Sequence, residues 1–376
     1  MANSNLTSAK KAKNDEFYTQ YHDIEKEVAA YLEFNPDVFR DKTILLPCDD
    51  PEWSNFTKFF AQNFEKFGLK KLISTSYAVE SKKYKTAYQP TLFETESPEF
   101  DAEKTRVNGK IFELTRDKTG DKKIDIEDLE WRYLEGDGDF RSAEIKKLRD
   151  EADIIVTNPP FSLFREFLAW ILKADKQFLI IGNMGAVIYK EIFPLIKDNR
   201  LWLGVTRNGT GSMWFRIGDG MPIKTGQKTD TSGVRYQTVG NTAWFTNIDH
   251  GRRHQSIPLM TQADVIKFGT KKPFDKYENY NAIDVPLVKY IPSDYDGVMG
   301  VPISFLGKYN PEQFEIIWQA SGNSYANMPK ELLKIVNFIP NVPGAEGAGQ
   351  GVGVVGGKKV YSRILIKRKD KKGDRK

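Results

Sequence analysis

The sequence predicts an α/β protein with a mainly parallel sheet covered by helices on both faces, and three observations carry that prediction. Short β-branched apolar runs alternate with amphipathic stretches between Thr43 and Ile248, the pattern of strands buried on both sides. No run approaches the ~18 apolar residues of a membrane span. One apolar strand, Ile154-Ile155-Val156, runs straight into Thr157-Asn158-Pro159-Pro160-Phe161, and strand ends of this kind are where open α/β sheets form ligand crevices.

Taken in order, a lysine cluster at 10–13 and the stretch Asn14-Asp15-Glu16-Phe17-Tyr18-Thr19-Gln20 precede an amphipathic helix over 23–34, with Ile24, Val28, Tyr31 and Leu32 on one side. Residues 43–46 form the first core strand, which leads into Cys48-Asp49-Asp50-Pro51. Ser54 then caps a helix that puts Phe56, Phe59, Phe60, Phe64 and Phe67 inward and stops at Gly68. Residues 72–77 make the next strand. The polar, poorly periodic stretch 79–128 reads as an excursion from the sheet, with a strand-like run at 110–114 and a charged turn at 117–121. A strand at 131–134 leads to Gly136-Asp137-Gly138-Asp139-Phe140 and a helix over 142–151.

Past Phe161, a helix over 162–173, a strand at 178–181, a helix over 187–197 and a strand at 201–205 continue the alternation. Residues 206–240 are rich in glycine, threonine and basic residues around Trp214 and Phe215, and 241–248 is the last strand. After Asp249, prolines punctuate short segments. Residues 311–319 read as a helix there, and the glycine-rich 343–357 as a flexible linker without a phosphate-loop signature. The expected domains are an N-terminal segment, 1–40; a catalytic domain, 41–248, with insertions at about 79–128 and 206–240; and a C-terminal region, 249–376, ending in a basic tail.

Composition narrows the chemistry. A single cysteine, Cys48, excludes an internal disulfide framework, and three histidines cannot assemble a zinc pattern. Residues 1–13 lack an apolar signal core, so a cytoplasmic location is expected. Of the net charge of +5, the tail 361–376, with eight basic and two acidic residues, carries +6. It either meets phosphates or is a solvated end.

The Asn-Pro-Pro-Phe strand end is the most informative chemistry. Proline has a fixed φ and no N–H, so Asn158, Pro159 and Pro160 make a stiff edge whose carbonyls are expected to stay unpaired by the chain. An exocyclic amine of a nucleobase, a flat group with two N–H donors, suits that edge. With one hydrogen on the Asn158 side-chain oxygen and one on the Pro159 carbonyl, the amine nitrogen aims its lone pair at an electrophile, here a sulfonium methyl group. Phe161 stacks on a base taken out of its duplex, and catalysis comes from positioning and preorganised dipoles. A plain strand-ending turn is the alternative. On the cofactor side, Asp49 and Asp50 either hold a cationic amino group or act as helix-capping acids. Asp139 accepts a cofactor adenine amine with Phe140 packed on its ring, or the two belong to a turn. Cys48 is not read as a nucleophile, because it sits where the cofactor loop belongs. No acid ends the second strand to grip a ribose.

These residues resemble the EcoRI-type adenine-specific DNA methyltransferases nearly end to end. The likeness runs through Asn14 to Tyr21, Cys48-Asp49-Asp50-Pro51 with Ser54-Asn55-Phe56, Gly136 to Ser142, Thr157 to Arg165, Gly297 to Ile303 and Arg363 to Lys367. Cys-Asp-Asp-Pro stands where methyltransferases in general carry a glycine-rich loop. The resemblance implies a class I, Rossmann-like fold with a seven-stranded, mainly parallel sheet and a less regular C-terminal target-recognition region. It also implies transfer of a methyl group from S-adenosyl-L-methionine to a flipped adenine in double-stranded DNA. By position, Tyr18 and Thr19 match the N-terminal cofactor motif, Asp49 and Asp50 the first-strand loop, Asp139 and Phe140 the adenine contact, and Asn158, Pro159, Pro160 and Phe161 the catalytic motif. Arg252, Arg253, Lys367 and Arg368 are the expected DNA contacts. A cognate restriction endonuclease acting on the same site is an open second partner. The rival readings are a methyltransferase of RNA or of protein glutamine using the same edge, and an inactive DNA-binding protein.

Overall fold

The computed structural model describes residues 17–47, 49, 54–78, 97–206, 213–217, 226–238, 241–270, 273–344 and 349–369. Cys48, Asp50 and the lysine cluster at 10–13 lie outside the described residues. The chain divides into two compact units, one of Met1–Met184 with Gly204–Asp249 and the other of Gly185–Leu203 with His250–Lys376.

In chain order up to Thr246 the strands are β1 (Phe17–Tyr18), β2 (Thr43–Leu46), β3 (Lys71–Ser76), β4 (Lys110–Leu114), β5 (Glu130–Tyr133), β6 (Ile154–Thr157), β7 (Gln177–Asn183), β8 (Trp202–Leu203), β9 (Trp214–Ile217), β10 (Lys228–Thr229), β11 (Arg235–Thr238) and β12 (Thr242–Thr246). Within the first unit the central sheet has the order β5-β4-β3-β2-β6-β7-β12. Strand β4 lies in the stretch 79–128 expected as an excursion, yet it pairs antiparallel with both β3 and β5. Two antiparallel steps return β5 to the direction of β3. Because β3, β2, β6 and β7 pair parallel, the chain leaves β2, β3, β5 and β6 at one edge of the sheet.

Burial explains why these short runs form strands. Ile44, Leu45, Leu46, Ile154, Ile155 and Val156 are wholly buried, and each such side chain contributes roughly 1.5–3 kcal/mol of transfer free energy. Helix Tyr21–Phe34 places Ile24, Val28 and Tyr31 in the core. Helix Asn55–Gln62 is capped by the Ser54 hydroxyl, which accepts from Phe56 N. The expected single phenylalanine-rich helix is interrupted at Asn63, and its second piece, Phe64–Phe67, ends on Gly68 at φ 63°. A second, small sheet in the same unit has the order β1-β9-β11-β10, so the start of the chain pairs with part of the 206–240 insertion.

The second unit holds β13 (Ile283–Asp284), β14 (Met299–Pro302), β15 (Phe314–Ala320), β16 (Val354–Val355), β17 (Lys358–Lys359) and β18 (Arg363–Arg368), with a four-stranded sheet β13-β14-β18-β15. Two expectations are corrected there. The segment read as a helix over 311–319 is mostly strand β15, in which Phe314 is buried, Glu315 exposed and Ile316, Ile317 and Trp318 buried in succession, with a register shift between Ile316 and Trp318. The described part of 343–357 is no linker: Asn279 Nδ2 donates to the carbonyls of Gln350 and Val352, and the Tyr280 hydroxyl to that of Gly351. The basic tail is structured through 368, since Ile364, Leu365 and Ile366 are fully buried. Among the described residues no helix is long and apolar enough to cross a membrane.

Candidate active site

Asp49 is the point where the strand ends are tied together. The residue is 9 % exposed, and its carboxylate accepts from the Ser54 hydroxyl at 2.7 Å and the Thr157 hydroxyl at 2.6 Å. Its backbone carbonyl accepts from Thr57 Oγ1 at 3.0 Å and from Ser74 Oγ. Residues next to β2, β3 and β6 and the first turn of helix Asn55–Gln62 therefore meet around one acid. Thr157 Oγ1 also lies 3.0 Å from the Pro47 carbonyl, which fixes the residue before Asn158 against the loop after β2.

The candidate stretch Asn158–Phe161 follows at once. Asn158 and Phe161 are half-buried and Pro159 is buried. The expectation that both proline carbonyls stay unpaired is corrected, because Pro160 O accepts from Leu163 N at 2.8 Å in the 3-10 turn Phe161–Leu163 that begins the next helix. Among the described residues nothing donates to the Pro159 carbonyl. Phe161 meets Phe215 of β9 edge to face, with centroids 6.4 Å apart.

The N-terminal motif reaches the same place. Asn55 Nδ2 donates to Thr19 O at 2.7 Å and Gln20 Nε2 to Trp214 O at 2.6 Å, while Tyr18 pairs with Arg216 across β1 and β9. Thr19 is 3 % exposed, and its Oγ1 has no hydrogen-bond partner among the described residues. An orphaned buried hydroxyl costs about 1–3 kcal/mol, which a polar ligand at this site would offset.

After β5, Gly138 turns with φ 86°, and a Cβ there would collide with the Ser76 carbonyl. That close approach lets Asp137 O accept from Ala78 N at 2.9 Å. Asp139 accepts from Arg141 N and Nη1, and Arg141 grips Glu166 through two bonds of 2.6 and 2.8 Å. The Arg141 hydrogen bonds hold the Glu166 carboxyl below its ordinary range, against a smaller effect of burial. Phe140 is 2 % exposed, its ring edge-on to Phe167 and Trp170.

Thus Thr19, through Asn55, and Asp49, through Ser54, meet at the start of helix Asn55–Gln62, Thr157 ties Asp49 to the residue before Asn158, and Asp139 is joined through Arg141 to helix Phe164–Leu172. Sequence reading missed Thr157, Thr57, Ser74 and the Arg141–Glu166 clamp. Ser54 was visible only as a cap, since its donation to Asp49 depends on the tertiary fold. The expected DNA contacts lie in the second unit. Arg253 is 6 % exposed, with its guanidinium 3.6 Å over the Trp202 ring, whereas Arg252 is half-buried and Lys367 exposed. Arg368 pairs with Asp296 at 3.2 Å. Among the described residues no cluster of His, Cys, Asp and Glu could hold a metal ion.

The family model for the adenine-specific methyltransferase EcoRI matches residues 5–369. The chain belongs to this family. Among relatives, the methyltransferase is 45% identical to the Type II methyltransferase M.EcoRI of Escherichia coli over 316 residues, 84% of this chain and 89% of that protein. It is 35% identical to the Type II methyltransferase M.MpnI of Mycoplasma pneumoniae over 364 residues, 96% of this chain and 97% of that one. M.MgeORF184P of Mycoplasma genitalium is likewise 35% identical over 364 residues. No solved structure matches the methyltransferase.

Proposed function

We propose that this site-specific DNA adenine methyltransferase acts on an adenine swung out of the duplex, with the edge Asn158-Pro159-Pro160-Phe161 as its catalytic stretch. The observation that supports it is the Thr157–Asp49 bond, which joins the start of that edge to the loop where a cofactor's amino group would sit. Asn158 Oδ1 and the Pro159 carbonyl accept the two hydrogens of the adenine amine and draw its nitrogen toward tetrahedral geometry. Pro160 stiffens the edge, and Phe161, steadied by Phe215, offers its ring to the base.

S-adenosyl-L-methionine, when bound, supplies an electrophilic sulfonium methyl group. Residues that fit it are Tyr18, Thr19 with a hydroxyl that lacks a partner among the described residues, Asp49 and the neighbouring Asp50 for the ammonium, and Asp139 for the adenine amine. Phe140 serves that contact by anchoring the turn in the core. No strong base is required, since the methylated nitrogen is acidic enough to release its proton to water. In the second unit, a target-recognition role is proposed, with Arg252, Lys367 and Arg368 toward phosphates and Arg253 holding its turn against Trp202. A cytoplasmic location and a cognate restriction endonuclease acting on the same site complete the reading.

The test is transfer of labelled methyl to duplex DNA followed by nucleoside analysis. N6-methyladenine is the expected product. Asn158→Ala should lower kcat by about 10²- to 10³-fold, the scale on which losing one preorganised hydrogen-bonding group acts, while S-adenosylhomocysteine affinity holds. An unchanged rate in that variant would refute the role of Asn158.

A further inference from the structure

The small sheet β1-β9-β11-β10 has two unlike faces. Along β9, Phe215 and Ile217 are fully buried while Trp214 and Arg216 are half-buried, the alternation expected of a strand with one face on the core. Register then assigns the outer face. Tyr236 and Thr238 stand opposite Arg216 and Trp214, and Lys228 stands opposite Tyr236. Directly opposed residues share a face, so Trp214, Arg216, Tyr236 and Lys228 form one aromatic and cationic patch. Lys228 Nζ sits 4.1 Å from the Trp214 centroid and 5.9 Å from that of Tyr236, a cation held in place by rings. The acid in the β10–β11 turn, Asp230, accepts from Ser232 N, Val234 N and the Tyr236 hydroxyl and lies within electrostatic reach of Arg216. Between 206 and 240 the chain carries five basic residues and two acidic ones.

On its inner face the same sheet touches the catalytic stretch, through Phe215 against Phe161. Stacking rings interleaved with fixed cations are the chemistry that tracks a nucleic-acid strand. We propose that this outer face is a contact surface for the DNA strand beside the target adenine, Arg216 and Lys228 meeting phosphates while Trp214 and Tyr236 pack against sugars and unstacked bases. The assignment rests on the catalytic reading of Phe161 given above.

The test compares the unmodified chain with Lys228→Ala and Trp214→Leu for duplex binding across a salt series, and for S-adenosylhomocysteine binding. Each phosphate contact contributes about 0.9 to the slope of log K against log salt. Lys228→Ala should therefore flatten that slope by about one and weaken binding, with cofactor affinity unchanged. Trp214→Leu should weaken DNA binding about tenfold, the lower part of the range for one stacked base, and leave the slope alone. Unchanged DNA affinity and slope in folded variants would overturn the surface assignment, as would a loss confined to S-adenosylhomocysteine. If the unmodified chain bound no duplex, the methylation reading itself would fail.

Discussion

Thr157 has one hydroxyl and two acceptors, Asp49 Oδ2 and Pro47 O, and both lie on the loop that follows β2. Thr157→Val keeps the shape and removes the donor. Leaving a buried carboxylate short of one bond costs about 1–3 kcal/mol, so a lower denaturant midpoint and weaker S-adenosylhomocysteine binding by calorimetry are expected, both restored by Thr157→Ser. A second residue makes the opposite kind of statement. Glu27 is completely buried and accepts from Val205 N, Thr206 N, Thr206 Oγ1 and the Tyr31 hydroxyl. Burial nevertheless raises its pKa above 4.5, outweighing those bonds. A raised folded-state value means that the folded chain holds the proton more tightly than the unfolded one. The stabilisation is therefore full below pH 4.5 and is lost as pH rises through the folded value. Denaturant midpoints should show the advantage of the native chain over Glu27→Gln shrinking upward from pH 4.5; a constant difference would contradict the dominance of burial.

Between strands, the loops do the positioning. Gly138 allows the turn after β5 to pass against Ser76, and its positive φ disfavours any other residue. Gly138→Ala should destabilise the fold by about 1–3 kcal/mol and raise the KM for S-adenosyl-L-methionine more than it lowers kcat, because Asp139 moves with the turn. The Arg141–Glu166 pair acts alongside it. As a half-exposed ion pair it adds about 1 kcal/mol or less, yet it fixes the spacing between the Asp139 turn and helix Phe164–Leu172. The legibility of the chain divides along the same line. Strands β2, β6 and β7 announce themselves because they are apolar on both faces, and Asn158 to Phe161 because its residue types are unusual at a strand end. By contrast β4 carries Lys110 and Glu113 and looks like loop, and β15 resembles a helix because its buried residues run consecutively. Hydroxyls such as Ser74 and Thr57 are invisible in sequence, since their partners are fixed only when separate strands come side by side.

Each unit draws on distant stretches of the chain. In the second, β18 lies between β14 and β15 and bonds to both along its length, with Arg363 pairing Asp284 at 2.9 Å. Leu365→Asp would bury an unpaired charge in the middle of that sheet. Loss of the second unit's cooperative unfolding transition in calorimetry is expected, and retention of a normal transition would contradict the central placement of β18. In the first unit, β1 waits for β9. Gln20 and Trp214 lie 194 positions apart, so on a ribosome the first-made edge of the candidate site is among the last to be seated. The nascent chain carries Tyr18 and Thr19 unpaired while the central strands before β9 are already being laid down. In a translation extract, methylation should appear late and abruptly, and no amino-terminal fragment that stops short of β9 should modify DNA.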